Sequence, residues 1–436
     1  MRTLFLLLLV LMSGQSYCQV TQFKLDNGLN ILVKEDHRAP VAISMLWYNV
    51  GSADEPGGIT GVSHALEHLM FKGTPQNPLG VFSKTIAALG GEINAFTSHD
   101  YTVFYEKIAA THLAKCFELE ADRMQNLVWD PQEFSKEINV IREERRLRTD
   151  TNPQALAFER FLATAHLSSP YHHPVIGWMN DLRQMSIDDA KQWYQRYYTP
   201  NNATLVVVGD VKANEVYALA NRYFGKLSPH ALPVRKLQVE PPRLGKKMAK
   251  ISTPAQLPML ILGFLTPTTN TSTPQNAMDP YALDVLTGIM ATDTTGRFSQ
   301  HLENGKNLAS QVGMTYNPYA RYQTQLTIMA IPSAHHTLRE LQQGIYAEIK
   351  QLQTERVSEQ ELQQIKTQLI AQKVFERDSM FGQAMELGLL ETVGLGWAVA
   401  DKYVERINSV TAAQLQAVAR HYLLESNSTE TELLPQ

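Results

Sequence analysis

His64-Ala65-Leu66-Glu67-His68 is the segment on which the interpretation of the chain depends, because it places two imidazoles and a carboxylate within five residues. A helix is expected over about residues 62–71, after the Gly/Pro-rich loop at 54–61. Two histidines four residues apart lie on one face of a helix, where both can bind a single Zn²⁺. Glu67 lies close enough to act on a water beside such an ion. The simpler alternative is an ordinary amphipathic helix with exposed His and Glu.

A third ligand is required from elsewhere, because a catalytic zinc usually has three protein ligands and one open position. The best source is the predicted helix over residues 131–148. Four of its residues share one face, since seven steps of 100° return within about 20° of the start: Glu137, Val140, Ile141 and Glu144. Two carboxylates on this face are expected to point toward the core, which is costly unless a cation compensates them. The remaining charges of the run are expected to form a solvated face: Arg142, Glu143, Arg145 and Arg146.

Composition describes an ordinary folded protein of about two domains. The chain has 436 residues, of which 44% are hydrophobic and 19% are charged. This length exceeds what one hydrophobic core usually supports. The net charge of −4 leaves no strongly basic surface, so we expect no binding of nucleic acid.

Residues 1–18 have the pattern of a secretory signal peptide. Arg2 precedes an apolar run, and small and polar residues follow it up to Cys18. The run is too short to cross a bilayer, so no stable membrane span is expected once the signal is removed. We therefore expect a secreted, periplasmic protein that starts near Gln19. Cys116 is then the remaining cysteine and is expected to be a small buried hydrophobe.

Strand signals begin at the start of the mature chain. Asn27-Gly28 between two β-rich runs predicts a hairpin. Residues 92–105, rich in Thr, Phe, Tyr and Val, predict a strand or a second hairpin. The polar tail at 425–436 is expected either to fray or to form a last short strand at 432–434.

Residues 228–247 carry Pro233, Pro241 and Pro242 without periodicity, which is typical of a linker. On both sides of it strands are followed by long predicted helices. We therefore predict two similar α+β domains, each a mainly antiparallel sheet packed with helices. Their bounds are 19–230 for the zinc-bearing domain, 231–248 for the linker and 249–436 for the repeat domain without metal.

The order His-x-x-Glu-His is the inverted zincin order. With it the chain resembles the pitrilysin/insulinase-type zinc metallopeptidases, which include the mitochondrial processing peptidase. The matching segments extend along much of the chain: Asp26-Asn27-Gly28-Leu29, Gly51-Ser52-Ala53-Asp54-Glu55, residues 61–74, Asn94-Ala95-Phe96-Thr97 and residues 140–144. The resemblance implies one half of a clamshell, two of which enclose a chamber.

The resemblance also implies roles for individual residues. The zinc ligands would be His64, His68 and Glu144. Glu67 would be the general base, and Glu137, two turns before the third ligand, would support the site. The 75 residues between His68 and Glu144 match the spacing of the family. Glu143 remains the rival third ligand.

Asn94, Ala95 and Phe96 correspond to the family's edge strand, on which an extended peptide substrate lies. A peptide added there would be bound through main-chain hydrogen bonds, with weak selectivity for side chains. The alternative is an ordinary paired core strand.

The second half departs from the family pattern. Single-chain members supply an Arg and, seven residues later, a Tyr that bind substrate and stabilise developing negative charge. Here Glu303 and Ser310 occupy those positions, and neither can replace them. Three residues are alternative donors in cis or else packing residues: Arg297, Arg321 and Tyr322. The resemblance therefore predicts a heterodimer whose second pitrilysin-type subunit lacks the zinc motif and supplies the Arg/Tyr pair.

The leading hypothesis is an exported zinc endopeptidase that hydrolyses peptides or unfolded segments inside a closed chamber. Two alternatives stay open: a non-catalytic peptide-binding or assembly subunit, and a peptidase dedicated to one precursor. The intact Glu67 disfavours the non-catalytic alternative.

Overall fold

The computed structural model describes residues 19–292 and 294–436. The predicted signal peptide at residues 1–18 lies outside the described residues. Among the helices that the structure describes, none is long and apolar enough to cross a membrane.

The first sheet lies within residues 20–209 and has six strands in the described chain. They are β1 (Val20–Lys24), β2 (Asn30–Glu35), β3 (Val41–Tyr48), β4 (Glu92–Thr97), β5 (Thr102–Ala109) and β6 (Ala203–Gly209). Their order is β1-β2-β6-β3-β5-β4, and every pairing is antiparallel except that of β2 with β6. β4 is therefore an edge strand.

The helices of this half alternate with the strands along the chain. They are α1 (Val62–Leu69), α2 (Val81–Ala88), α3 (Leu113–Gln125), α4 (Pro131–Arg145), α5 (Pro153–Ala165), α6 (Met179–Gln184), α7 (Ile187–Tyr197) and α8 (Ala213–Phe224). α1 and α2 lie between β3 and β4, α3 to α7 lie between β5 and β6, and α8 follows β6. The predicted helix at 131–148 is thus α4, and its last turn widens into a π-helical turn at Arg146–Asp150.

The second sheet has five strands within the described residues, in the order β7-β11-β8-β10-β9. The elements of this half are β7 (Lys247–Thr253), β8 (Met259–Thr266), α9 (Asp279–Ala291), β9 (Ala309–Thr315), β10 (Thr324–Pro332), α10 (Leu338–Thr354), α11 (Glu359–Asp378), α12 (Met380–Thr392), α13 (Tyr403–Ser409), α14 (Ala412–Tyr422) and β11 (Thr429–Pro435). Both sheets are mainly antiparallel and packed with helices, so the predicted α+β fold class is confirmed.

Local sequence signals located several elements correctly. β1 and β2 form the predicted hairpin, with Gly28 at a positive φ of 92° in its turn. The predicted strand or hairpin at 92–105 is the hairpin of β4 and β5. Cys116 is buried and free. Of the two expectations for the C-terminal tail, fraying is wrong and a last strand is confirmed, although β11 (Thr429–Pro435) is longer than the predicted 432–434. β11 pairs with β7 on one side and β8 on the other and buries Leu433 completely.

Each half contributes a helix to the sheet of the other. α5 lies between β5 and β6 of the first sheet along the chain, yet its Phe161 packs on Met259 and Ile261 of β8. α12 belongs to the second half, yet its Leu387 packs on Trp47 and neighbouring side chains of the first sheet. This exchange joins the two halves through buried apolar surface.

The contact between α12 and the first sheet depends on a glycine. A Cβ at Gly388 would lie 2.0 Å from Cε2 of Trp47, which is fully buried. Gly344 on α10 offers a matched control, because a Cβ there meets only the methyl ends of Leu308 and Leu302.

We expect Gly388→Ala to lower the free energy of unfolding by about 1–3 kcal/mol, because overpacking against the rigid indole outweighs the gain in helix propensity. Gly344→Ala should change it far less, since flexible leucine ends can shift. Urea unfolding measures both variants. Equal stability of Gly388→Ala and the wild type would show that this contact is not tight.

Candidate active site

The start of α1 is fixed by a buried carboxylate. Glu55 accepts the backbone N–H groups of Gly61 at 2.6 Å and Ser63 at 2.7 Å. Gly61 has a φ of +87°, and a Cβ there would lie 2.6 Å from the carbonyl oxygen of Ile176. Val62, Ala65 and Leu66 on α1 are completely buried. These constraints leave the opposite face of α1, with its two histidines, directed toward a cavity.

α4 delivers two carboxylates to the same place. Asp130 caps its N-terminus by accepting the backbone N–H groups of Gln132 and Glu133, while Ile138 and Ile141 anchor the helix in the core. Glu137 and Glu144 then lie against α1, with side chains only 12% and 16% exposed.

His64, His68 and Glu144 converge in space. Nε2 of His64 lies 3.8 Å from Oε2 of Glu144, and Nε2 of His68 lies 3.5 Å from the same atom. One potential ligand atom from each residue lies within 4.8 Å of the others. Two imidazole nitrogens and a carboxylate oxygen are a donor set that suits zinc with an open position.

The second carboxylate of α4 holds one of the imidazoles. Oε1 of Glu137 lies 2.9 Å from Nδ1 of His68, and Glu137 also pairs with Lys72. This contact favours a proton on Nδ1 of His68 and leaves its Nε2 free as a ligand atom. A carboxylate behind a metal-binding histidine usually orients the ring in this way.

The protonation of the cluster follows from burial and from its neighbours. Burial, helped by the charges of His68 and Arg148, lowers the pKa of His64 to about 3, so its imidazole is neutral. Burial also disfavours charged His68, but the bond to Glu137 and the charges of Glu67 and Glu144 outweigh it and raise its pKa. Burial raises the pKa of Glu67, partly opposed by a hydrogen bond from Thr97.

Thr97 connects the cluster to the edge strand, since its Oγ1 donates to Oε2 of Glu67 at 2.5 Å. The cavity between α1, α4 and β4 has a volume of about 770 Å³. Its lining includes both histidines, Glu67, Glu144 and further residues from several elements: Asn94, Ala95, Phe96, His99, Val140, Arg148, Phe158, Leu162 and His172.

Two expectations about α4 are wrong. Val140 is not turned into the core but is 51% exposed and lines the cavity. Arg145 is not part of a solvated face but is buried, where it pairs with Glu159 and donates to the carbonyl of Gly177. Helical periodicity gives the angle between side chains but not the neighbour that each one meets.

The rival third ligand points away from the cluster. Glu143 has a side chain that is 61% exposed and pairs with Arg146. Among the described residues, the group that brings potential ligand atoms together contains Glu144 instead.

Sequence reasoning missed several residues of the cavity. Nη1 of Arg148 lies 2.7 Å from Oε1 of Glu144, and the spacing of four residues on one helix could have indicated this pair. His99 and His172 also line the cavity. No local pattern marks these two, because tertiary folding alone brings them to the cavity.

The second-half residues considered in place of the Arg/Tyr pair lie outside this cavity in the described structure. They are Glu303, Ser310, Arg297, Arg321 and Tyr322. Glu303 accepts the backbone N–H of Val312, and Ser310 donates to the carbonyl of Ile331. The three alternative donors are engaged or buried: Arg297 pairs with Glu361, Arg321 pairs with Asp54, and Tyr322 packs on Tyr171.

The fold and the residues at its cavity place the chain in the class of zinc-protease-like proteins. Residues 30–177 match the family described as insulinase (peptidase family M16), and residues 184–369 match the peptidase M16 inactive domain. The zinc protease PqqE of Helicobacter pylori is 30% identical over 432 residues, 97% of this chain and 95% of the relative. This chain belongs to the M16 peptidase family, so the resemblance seen in the sequence is confirmed.

Two further comparisons agree with this assignment. A probable mitochondrial-processing peptidase subunit beta of Arabidopsis thaliana is 24% identical over 419 residues, which are 92% of this chain and 76% of that relative. The crystal structure of a protease from Helicobacter pylori matches with a TM-score of 0.89 and 29% identity, covering 96% of this chain and 100% of that one.

Replacing Glu137 by Gln should weaken zinc binding about 10-fold or more, because the charged acceptor behind His68 is lost. Glu133→Gln is the matched control, since Glu133 lies one turn earlier on α4 and pairs with Lys136 at the surface. Competition with a fluorescent chelator measures both affinities. Equal affinities for the two variants would contradict a supporting role for Glu137.

Proposed function

We propose that this chain is an exported zinc-dependent endopeptidase, with His64, His68 and Glu144 as ligands and Glu67 as general base. The observation that carries the proposal is the convergence of His64, His68 and Glu144 in a cavity that Glu67 and the edge strand β4 also line. Zinc in such a site supplies a Lewis acid that polarises a peptide carbonyl and activates water near neutral pH.

Glu67 is suited to move the proton of the attacking water to the leaving amine. Its raised pKa brings the carboxylate closer to the range in which it both accepts and returns a proton. Thr97 holds Oε2 of Glu67 and thereby orients the carboxylate from β4. The chain thus positions its base from the same strand that would bind the substrate.

The edge of β4 supports an extended peptide as substrate. Within the described residues β4 pairs only with β5, so its other side is open for main-chain hydrogen bonds. The backbone N–H of Ala95 donates to Oδ1 of Asn94, a local bond that an incoming strand would replace. The ring of Phe96 packs against the aromatic rings of Trp47 and Tyr105. We assign Asn94, Ala95 and Phe96 to peptide binding.

The second candidate function is a non-catalytic peptide-binding subunit. It is favoured by the match of residues 184–369 to a family described as inactive. Glu67 is retained and lines the cavity, which favours catalysis. A peptidase dedicated to one precursor would share this site, and cleavage of a mixed peptide library separates it from a general endopeptidase.

The heterodimer proposal rests on the missing Arg/Tyr pair. Glu303 and Ser310 form hydrogen bonds within the second half. Arg297 and Arg321 already have carboxylate partners, Glu361 and Asp54. A second M16-type chain would supply the pair and close the chamber. Export of the chain rests on the signal pattern at residues 1–18.

We expect Glu67→Gln to keep zinc but to lower turnover by about 10²–10⁴-fold, because it cannot accept the proton. Glu144→Gln should lose much of both zinc and turnover. Glu143→Gln is the matched control, because Glu143 lies on the same helix as Glu144 but its carboxylate is exposed and pairs with Arg146. Metal analysis and peptide cleavage on the same preparations decide the assignment, and loss of zinc in Glu143→Gln alone would exchange the two roles.

We expect the isolated chain to cleave a quenched-fluorescence peptide library slowly. Addition of a purified M16-type chain from the same genome that lacks His-x-x-Glu-His but carries the Arg/Tyr pair should raise the rate, because an oxyanion donor contributes about 10²–10³-fold. Full activity of the isolated chain would refute the requirement for a partner.

A further inference from the structure

Arg321 crosses from the second half of the molecule into the first. It lies in the loop between β9 and β10, and its side chain is only 11% exposed. The guanidinium donates to Asp54 Oδ2 at 3.2 Å, Asn49 Oδ1 at 2.7 Å and the carbonyl oxygen of Asp100 at 2.6 Å. Its backbone N–H donates to Asp100 Oδ2 at 3.0 Å. A single residue thus bonds to two separate segments of the first half.

Those two segments also bond to each other. Asp100 lies in the turn that joins β4 to β5, and Asp54 ends the short helical turn Ser52–Asp54. The backbone N–H of Ser52 donates to the carbonyl of Ser98 at 3.1 Å, and the backbone N–H of Ala53 donates to the carbonyl of His99 at 2.8 Å. Arg321 therefore closes a hydrogen-bonded unit around the β4–β5 turn.

This unit lies directly beside the catalytic carboxylate. Thr97, which holds Glu67, is the last residue of β4 before the turn. On the other side, the hydroxyl of Tyr171 donates to Asp100 Oδ2 at 2.6 Å and accepts the backbone N–H of Arg321 at 3.0 Å. Tyr171 precedes His172, which lines the cavity. Two segments that carry walls of the cavity are therefore both bonded to Arg321, which itself lies outside the cavity.

We propose that Arg321 is a positioning residue, which sets the β4–β5 turn from the opposite half of the molecule and, through Thr97, the carboxylate of Glu67. The inference deepens the proposed peptidase function and rests on it. Of the two roles expected for Arg321, oxyanion donor or packing residue, its contacts favour the second, because each of them joins Arg321 to another part of the fold.

The electrostatics explain why an arginine is required. The carboxylates of Asp54 and Asp100 are 5% and 6% exposed, so each needs a compensating cation or donors. Asp54 has a second cationic partner, Arg235, whose Nε lies 2.6 Å from Oδ1 of Asp54. This partner remains when Arg321 is replaced. Asp100 has Arg321 as its cationic partner, at 3.8 Å. A guanidinium has five N–H donors in a fixed planar fork, against three on a lysine ammonium. Here it serves Asp54, Asn49 and Asp100 at once, so its loss should act at the turn.

The test compares Arg321→Met and Arg321→Lys with Arg297→Met in the full-length, zinc-loaded chain. Arg297 is the matched control, because its side chain is 13% exposed and makes a bidentate pair with Glu361 inside the second half. Hydrogen exchange followed by mass spectrometry reports the amides of residues 52–53 and 97–101. Chelator competition reports the zinc affinity, and a quenched-fluorescence peptide reports kcat and KM.

We expect exchange at residues 52–53 and 97–101 to become at least about 10-fold faster in Arg321→Met and less so in Arg321→Lys, because these amides open locally. Exchange in β3 should not change in Arg321→Met. Exchange at residues 52–53 and 97–101 should not change in the Arg297→Met control. Zinc affinity should stay within about twofold, whereas kcat should fall about 10–100-fold with a smaller change in KM, since misplacing a catalytic group costs rate.

Unchanged exchange at the turn in Arg321→Met, or an equal acceleration throughout the chain, would overturn the proposal. A wild type without any turnover would instead contradict the proposed function, and the exchange data would still decide the position of the turn. If Arg321→Met does not fold, Asp100→Asn removes the charge on the other side of the contact. Faster exchange confined to the same residues supports the proposal, and unchanged exchange contradicts it.

Discussion

The molecule depends on the convergence of acidic and imidazole side chains from two helices that are far apart in the sequence. His64 and His68 come from α1 and Glu144 comes from α4, with 75 residues between the second histidine and the carboxylate. Glu67 and Glu144 both face the same cavity. Acidic groups gathered in a partly buried site are costly unless a cation compensates them. A divalent ion held by His64, His68 and Glu144 would satisfy this requirement.

The rest of the fold supplies the rigidity that this convergence needs. Glu55 fixes the first turn of α1, and Ile138 and Ile141 hold α4 in the core. The reciprocal packing of α5 and α12 joins the two halves, so the second half also supports the wall of the cavity. Arg321 reaches the turn after β4 from this half. The half without the histidines therefore contributes to the geometry of the site.

Features with a local cause could be predicted from the sequence. The hairpin at Gly28, the α1 helix with its spacing of histidines, and α4 all follow from turn chemistry and helical periodicity. The face of α4 that carries Glu137 and Glu144 was also predictable, because seven residues make nearly two full turns.

Features that depend on partners distant in the sequence could not be predicted in this way. Val140 borders the cavity and Arg145 is buried because of what lies opposite each of them, and periodicity does not contain that information. His99 and His172 join the cavity only through the packing of loops. The position of α12 on the first sheet depends on the fit of Gly388 to Trp47, which a single sequence does not reveal. The pairing of β11 between two strands is equally non-local.

The most direct test of the central claim is anomalous diffraction at the zinc edge from crystals of the zinc-loaded chain. The account predicts an anomalous peak about 2.0–2.2 Å from Nε2 of His64, Nε2 of His68 and a carboxylate oxygen of Glu144. A peak that lies away from α1, or one bound by the two histidines while Glu144 stays remote, would contradict it.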